Sequence, residues 1–117
     1  MNLNGINVLE FIYKISENNL YVEVIQQLQK DFELSGLVIE FDEFIVPEDL
    51  IKVIYQQIYH LLINNFDGYL QLLYRIDVAE QKIVIQKSDT IELIAQKSTY
   101  YVLQREYQKV KLRKKYS

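Results

Sequence analysis

The stretch PEDLIKVIYQQIYHLLINNFDGYLQLLYRIDVAE, Pro47–Glu80, decides the fold. Pro47 suits the first position of a helix, where its missing N–H leaves nothing unsatisfied, and Glu48 and Asp49 complement the positive end of the helix dipole. Leu50, Ile51, Ile54, Tyr55, Ile58, Leu61, Leu62 and Ile63 then spread apolar side chains around more than half the circumference. A helix of that kind, from about 48 to 66, belongs at the centre of a bundle with others packed around it. Asp67–Gly68 breaks the pattern, and a further helix over 68–76 carries Leu70, Leu73 and Tyr74. Asp77-x-x-Glu80 then reads as a capping box, with Asp as the cap, that opens another short helix.

Upstream, Val8, Leu9, Ile12 and Ile15 share one helical face over 8–16, and Asn18–Asn19 breaks it. The next helix, about 20–34, turns Val24, Ile25, Leu28 and Phe32 inward and stops near Gly36, which suits the left-handed position after a helix. In LVIEFDEF (37–44), Leu37, Ile39 and Phe41 alternate with Val38, Glu40 and Asp42 like a strand. With no clear ladder partner, the expectation is an extended connection that packs Ile39 and Phe41 onto the helices. The alternative is a two-stranded patch joining 38–41 to 83–85. Downstream, Asp89 and Glu92 form a second D-x-x-E cap for a final helix, about 89–114. Its early face (Ile91, Leu93, Ile94, Ala95) is broad, and its late stripe (Tyr100, Leu103, Tyr107, Val110) is narrow. The first half is expected in the core and the second over the surface. The fold class is therefore all-α, an irregular bundle of five to six helices in one domain, 1–117.

Half the residues are hydrophobic and a quarter charged, as in a soluble globular chain. Ten Tyr and five Phe stand beside no Trp, and tyrosines with a polar tip fit helix flanks at the core boundary. With no cysteine, disulfides, thiolate zinc and cysteine nucleophiles are excluded. The N-terminal sequence has no signal-peptide pattern, and the longest apolar-rich stretch, 50–63, is too short to span a bilayer. The expected location is cytoplasmic.

Charge is unevenly placed. Between Asp31 and Asp49 lie seven acids and no Lys or Arg, whereas Arg105–Ser117 holds six bases against Glu106. Cations at a helix C-terminus complement its dipole, so a basic end is first of all ordinary helix chemistry. Pairing with the acidic segment, within one chain or across a dimer, is the second reading, and an anionic partner the third. The net-acidic body and the absence of a helix-turn-helix or RNP-like motif disfavour nucleic acid.

Chemistry-bearing patterns are scarce. His60 is the lone histidine, flanked by Gln56, Gln57 and Asn64, and reads as a surface or boundary residue. Glu40, Asp42 and Glu43 read as solvent-facing acids. No metal loop, glycine-rich phosphate loop or nucleophile elbow occurs, so neither cofactor, metal nor catalytic residues are assigned. Arg75 and Asp77, with Glu80, form a candidate structural corner in which Arg75 bonds the Asp77 carboxylate.

LLYRIDVAE (72–80) and REYQKV (105–110) resemble a group of short uncharacterised bacterial proteins with an LLYxxDVxE segment and a late R-E-x-Q-K-V stretch. The resemblance implies a helical domain and carries over no activity and no site. The expected function is a non-enzymatic protein-interaction module that binds itself or another protein, with no small-molecule ligand. Its candidate interface is Tyr100, Leu103, Tyr107 and Val110, rimmed by Arg105 and Lys109, because Tyr and Arg are favoured anchors. The competing reading is that this stripe covers the domain's own core. The alternative function is binding of nucleic acid, another anionic polymer or a membrane surface through the basic helix end.

Overall fold

The computed structural model describes residues 2–3, 6–17, 19–37, 39, 41–83 and 85–116, with the side chains of 2–3, 6–7 and 80 outside that description. Among the described residues there are five α-helices: α1 (Val8–Ser16), α2 (Tyr21–Leu34), α3 (Pro47–Asn64), α4 (Phe66–Ile76) and α5 (Ile91–Lys115). A single 3-10 turn, Glu80–Lys82, stands where a short helix is expected after Asp77. Ahead of α1, β1 (Asn2–Leu3) pairs antiparallel with β2 (Ile6–Asn7), a ladder that the Asn4–Gly5 dipeptide signals in the sequence and that helical periodicity overlooks.

α3 is the centre. It packs against α1, α4 and α5, burying Leu50, Ile51, Ile54, Ile58 and Leu61. Ile63, on the far side of its last turn, stays exposed, and so does Tyr74 on α4. The break between α3 and α4 falls at Asn65 rather than at Asp67–Gly68. The Asn65 carboxamide oxygen accepts the Gly68 N–H at 2.9 Å, so Gly68 lies inside α4. A Cβ at residue 68 would sit 2.7 Å from the Asn65 side chain, which is why glycine fits there.

Helix ends place the connections. After α2, Gly36 is left-handed (φ 83°), with its N–H on the Glu33 carbonyl and the Leu37 N–H on Phe32. These two bonds are a Schellman closure. The connection that follows buries Ile39 and Phe41, and Phe41 meets Phe32 edge to face. No β-ladder forms there among the described residues; Val38, Glu40 and Val84 lie outside them. The ladder partner is replaced by one side chain. Gln29 donates to the Ile39 carbonyl and accepts the Phe41 N–H at 2.7 Å, the two bonds that a neighbouring strand would make.

α5 begins one to two residues later than the D-x-x-E pattern predicts. Thr90 is the cap, its hydroxyl accepting the Leu93 N–H at 3.1 Å. Asp89 instead accepts the Gln86 N–H and pairs with Lys97, both at 2.9 Å, and these contacts hold its carboxyl below the usual range. The expectation that the second half of α5 lies loosely over the surface is also corrected: Val102, Leu103, Glu106 and Val110 are fully buried.

Candidate functional site

The late stripe of α5 is core. Leu103 and Val110 have no exposed surface, and Tyr100 and Tyr107 are half-buried against Phe11 of α1, with ring centroids 5.5 and 6.0 Å apart. Phe11 covers the two tyrosines within one chain, so the stripe packs against the domain's own core. Arg105 and Lys109, expected at the rim of the stripe, turn to partners within the chain. Both reach the carboxyl end of α4, where the helix dipole is negative. Arg105 donates through Nε to the Asp77 carbonyl at 3.1 Å and through Nη2 to the Asp77 carboxylate at 2.9 Å.

Asp77 thereby has a different task from the one the capping-box pattern suggests. It is left-handed (φ 73°), its N–H closes onto Leu73 and Tyr74, and the Val78 N–H returns to Leu73 at 2.9 Å. This is a second Schellman closure, with the buried Val78 as its apolar partner. Asp77 ends α4; it starts nothing. Its N–H is already committed to α4 carbonyls, and the Glu80 side chain that was to reach it lies outside the described residues. Arg105, from another helix, takes the place expected of Arg75, which is exposed. Asp77→Gly should raise stability by up to ~1 kcal/mol by relieving the left-handed conformation, whereas Asp77→Ala should lower it. An N-cap role would make both variants less stable, and thermal melts of the pair separate the two outcomes.

Behind this corner lies a polar cluster that the charge pattern does not announce. Asp31 on α2 and Glu106 on α5 are both buried. Lys109 Nζ lies 2.6 Å from Asp31 Oδ2, 2.9 Å from Glu106 Oε1 and 3.3 Å from the Ile76 carbonyl. Gln27 Nε2 donates to Asp31 at 3.1 Å, and its Oε1 accepts from Arg113 at 2.8 Å. The Lys109–Glu106 approach has ion-pair distance without hydrogen-bond alignment, which leaves both Glu106 oxygens without a hydrogen-bond partner. Burial, and then the facing Asp31, push the Glu106 carboxyl up to about 8. Asp31 is held below its ordinary value: contacts from Glu106, Lys109 and Gln27 together outweigh its own desolvation, the largest single influence. One ammonium faces two buried carboxylates, an excess of negative charge that favours the neutral form of Glu106. Glu106 has no exposed surface, and no substrate meets it in this arrangement.

The surface around α2 carries the remaining signal. Glu23, Gln27 and Asp31, four residues apart, point to α5 and take Lys114 at 2.7 Å, Arg113 and Lys109. On the opposite flank, Tyr21 donates to the Ile45 carbonyl at 2.6 Å and Gln26 reaches Glu43 at 3.4 Å. The connection held there is a turn closed on Asp42, whose carboxylate accepts the Phe44 N–H and whose carbonyl accepts the Ile45 N–H, each at 2.9 Å. Its tip presents Phe44, 87% exposed, and Val46, 50% exposed, among Asp42, Glu43, Glu48 and Asp49. Tyr13 of α1 donates to Glu48 beside them.

His60 sits on the surface with Asn64 at 3.2 Å, in a shallow groove of ≈ 310 Å³ with Tyr55, Gln56, Tyr59 and Glu92. Among the described residues no three His, Cys, Asp or Glu are grouped to hold a metal ion, and no helix is long and apolar enough to cross a membrane. No protein-family model, curated protein or solved structure matches the chain.

Proposed function

We propose that the chain is a cytoplasmic, non-enzymatic interaction module that pairs with a second copy of itself across the exposed ridge of α2. The observation that supports this is the opposite charge on the two flanks of that helix's first turns. On one side stands the acidic turn with Phe44 and Val46 at its tip. On the other stands the end of α5, with Lys111 and Lys115 beside the exposed Leu112 and Tyr116. A two-fold axis across the ridge sets each acidic flank against the partner's basic flank, an isologous arrangement that closes on itself. The acidic turn is already fixed by Asp42, Tyr21 and Gln26, so its aromatic tip loses little freedom on docking. The alternative, an anionic polymer on the basic end, has less support because Arg105, Lys109, Arg113 and Lys114 each hold a partner within the chain.

The test is sedimentation over micromolar to submillimolar concentrations at low and high salt. The expected result is a dimer that weakens with salt. Glu43→Lys or Lys115→Glu alone should weaken it by roughly tenfold, or ~1.4 kcal/mol, and the double reversal should restore much of the loss. A monomer at every concentration and low salt overturns the proposal. A monomer that also shifts labelled single-stranded RNA favours the alternative.

A further inference from the structure

We infer that Asp31, Glu106 and Lys109 form a one-proton latch that couples the seating of the second half of α5 on α2 and α4 to pH. The geometry is a closed account of charge at the junction of three helices. α2 contributes Asp31 and the neutral Gln27. α4 contributes no charge to it, only the Ile76 carbonyl, with the Arg105–Asp77 pair beyond. α5 contributes Glu106, Lys109 and, through Gln27, Arg113. The buried residues of α1 (Val8, Ile12, Ile15) and of α3 are all apolar, so among the described residues neither helix adds a buried charge.

With Glu106 protonated, the cluster is one carboxylate, one carboxyl and one ammonium, and it is neutral. Loss of that proton leaves a second negative charge in a site closed to solvent, facing the first. The strain falls on the contacts that hold α5 to α2, because the two acids lie on those two helices. Relief comes by parting them and letting water reach Glu106. The latch holds whether or not the outer face of α2 self-associates.

The direction of the pH effect follows from linkage. The Glu106 carboxyl is raised from 4.5 to about 8 in the folded chain. Its stabilising contribution is therefore complete below the unfolded value, falls as pH rises, and is gone above about 8. Asp31 is lowered, so its contribution is present above its ordinary value and is lost as pH falls through the folded one. Stability should peak in the mildly acidic range and decline toward alkaline pH.

Two measurements on the whole chain test this. The side-chain carboxyl carbon of Glu106, followed by NMR, should titrate with a midpoint well above the ordinary carboxyl range. The melting temperature of the parent should fall by several degrees or more between about pH 5 and about pH 9, and that of Glu106→Gln, which cannot ionise, should fall much less. A Glu106 resonance that titrates in the ordinary range, or parallel declines for parent and variant, overturns the latch. If Glu106→Gln does not fold, the titration of the parent alone decides.

Discussion

Lys109→Met is expected to lower the unfolding free energy by about 3 kcal/mol at neutral pH, the low end of what breaking a buried ion pair removes. The estimate sits low because the Lys109 side chain keeps 20% of its surface in water. Methionine fills the volume of the lysine stem, so the loss is that of the charge. Asp31, Glu106 and the Ile76 carbonyl then face one another with no ammonium between them. For a chain of this size that is a drop of roughly 10–15 °C in melting temperature. The sign of its pH dependence is also fixed. Without the ammonium the acid pair holds protons more tightly than the unfolded chain does, so the deficit grows as pH rises from the carboxyl range to neutrality. It shrinks in acid, where both carboxyls are neutral in either state. Replacing the whole cluster with apolar groups, Asp31→Leu with Glu106→Leu and Lys109→Met, should return stability to within about 2 kcal/mol of the parent. A single variant that melts within a degree or two of the parent at neutral pH would falsify the assignment of Lys109 as the cluster's counter-charge.

The fold was legible where local signals act alone. Pro47 marks the start of α3, Gly36 the stop of α2, and the apolar spacing of 8–16 gives α1 to the residue. Ile39 and Phe41 were legible as buried, but not the means of burying them. The amide that satisfies their backbone belongs to Gln29, on the preceding helix, and only tertiary packing brings it there. Asp77 misled because aspartate serves both as an N-cap and as a tolerable left-handed residue. The decisive residue is Val78: an apolar residue there can be buried as the chain turns back on Leu73, as its backbone N–H does at the end of α4.

The buried cluster had a readable trace. Glu106 follows Val102 and Leu103 and precedes Val110 at helical intervals, on the face that proves to be core. Asp31 follows Leu28 and adjoins Phe32 in the same way on α2. A carboxylate on an apolar stripe needs a buried partner, and two such stripes need each other. Counting charges by segment concealed this, because Glu106 registered only as the lone acid in a basic run. The acidic–aromatic turn at 42–49 was visible as charge, while the exposure of Phe44 was not, since periodicity says nothing about a residue between elements.

Leu103→Ala should cost about 2–4 kcal/mol and lower the melting temperature by roughly 10 °C or more. Leu103 has no exposed surface, and α3 and α2 pack α5 from both sides, so the space left by three lost carbons cannot collapse easily. Tyr107→Ala should cost less despite the larger side chain. Its ring is half-buried, and the contacts removed include the edge of Phe11 and the Lys111 ammonium, 4.5 Å from the ring centroid. The order of the two effects separates core from docking face. In a core, the smaller, fully enclosed leucine matters more to stability, and neither change alters self-association of the folded chain. In an exposed interface, the tyrosine would dominate, melting would barely move, and the change would appear in the oligomer distribution. Melting curves and sedimentation of the same two variants therefore decide whether Tyr100, Leu103, Tyr107 and Val110 hold this chain together or hold it to another.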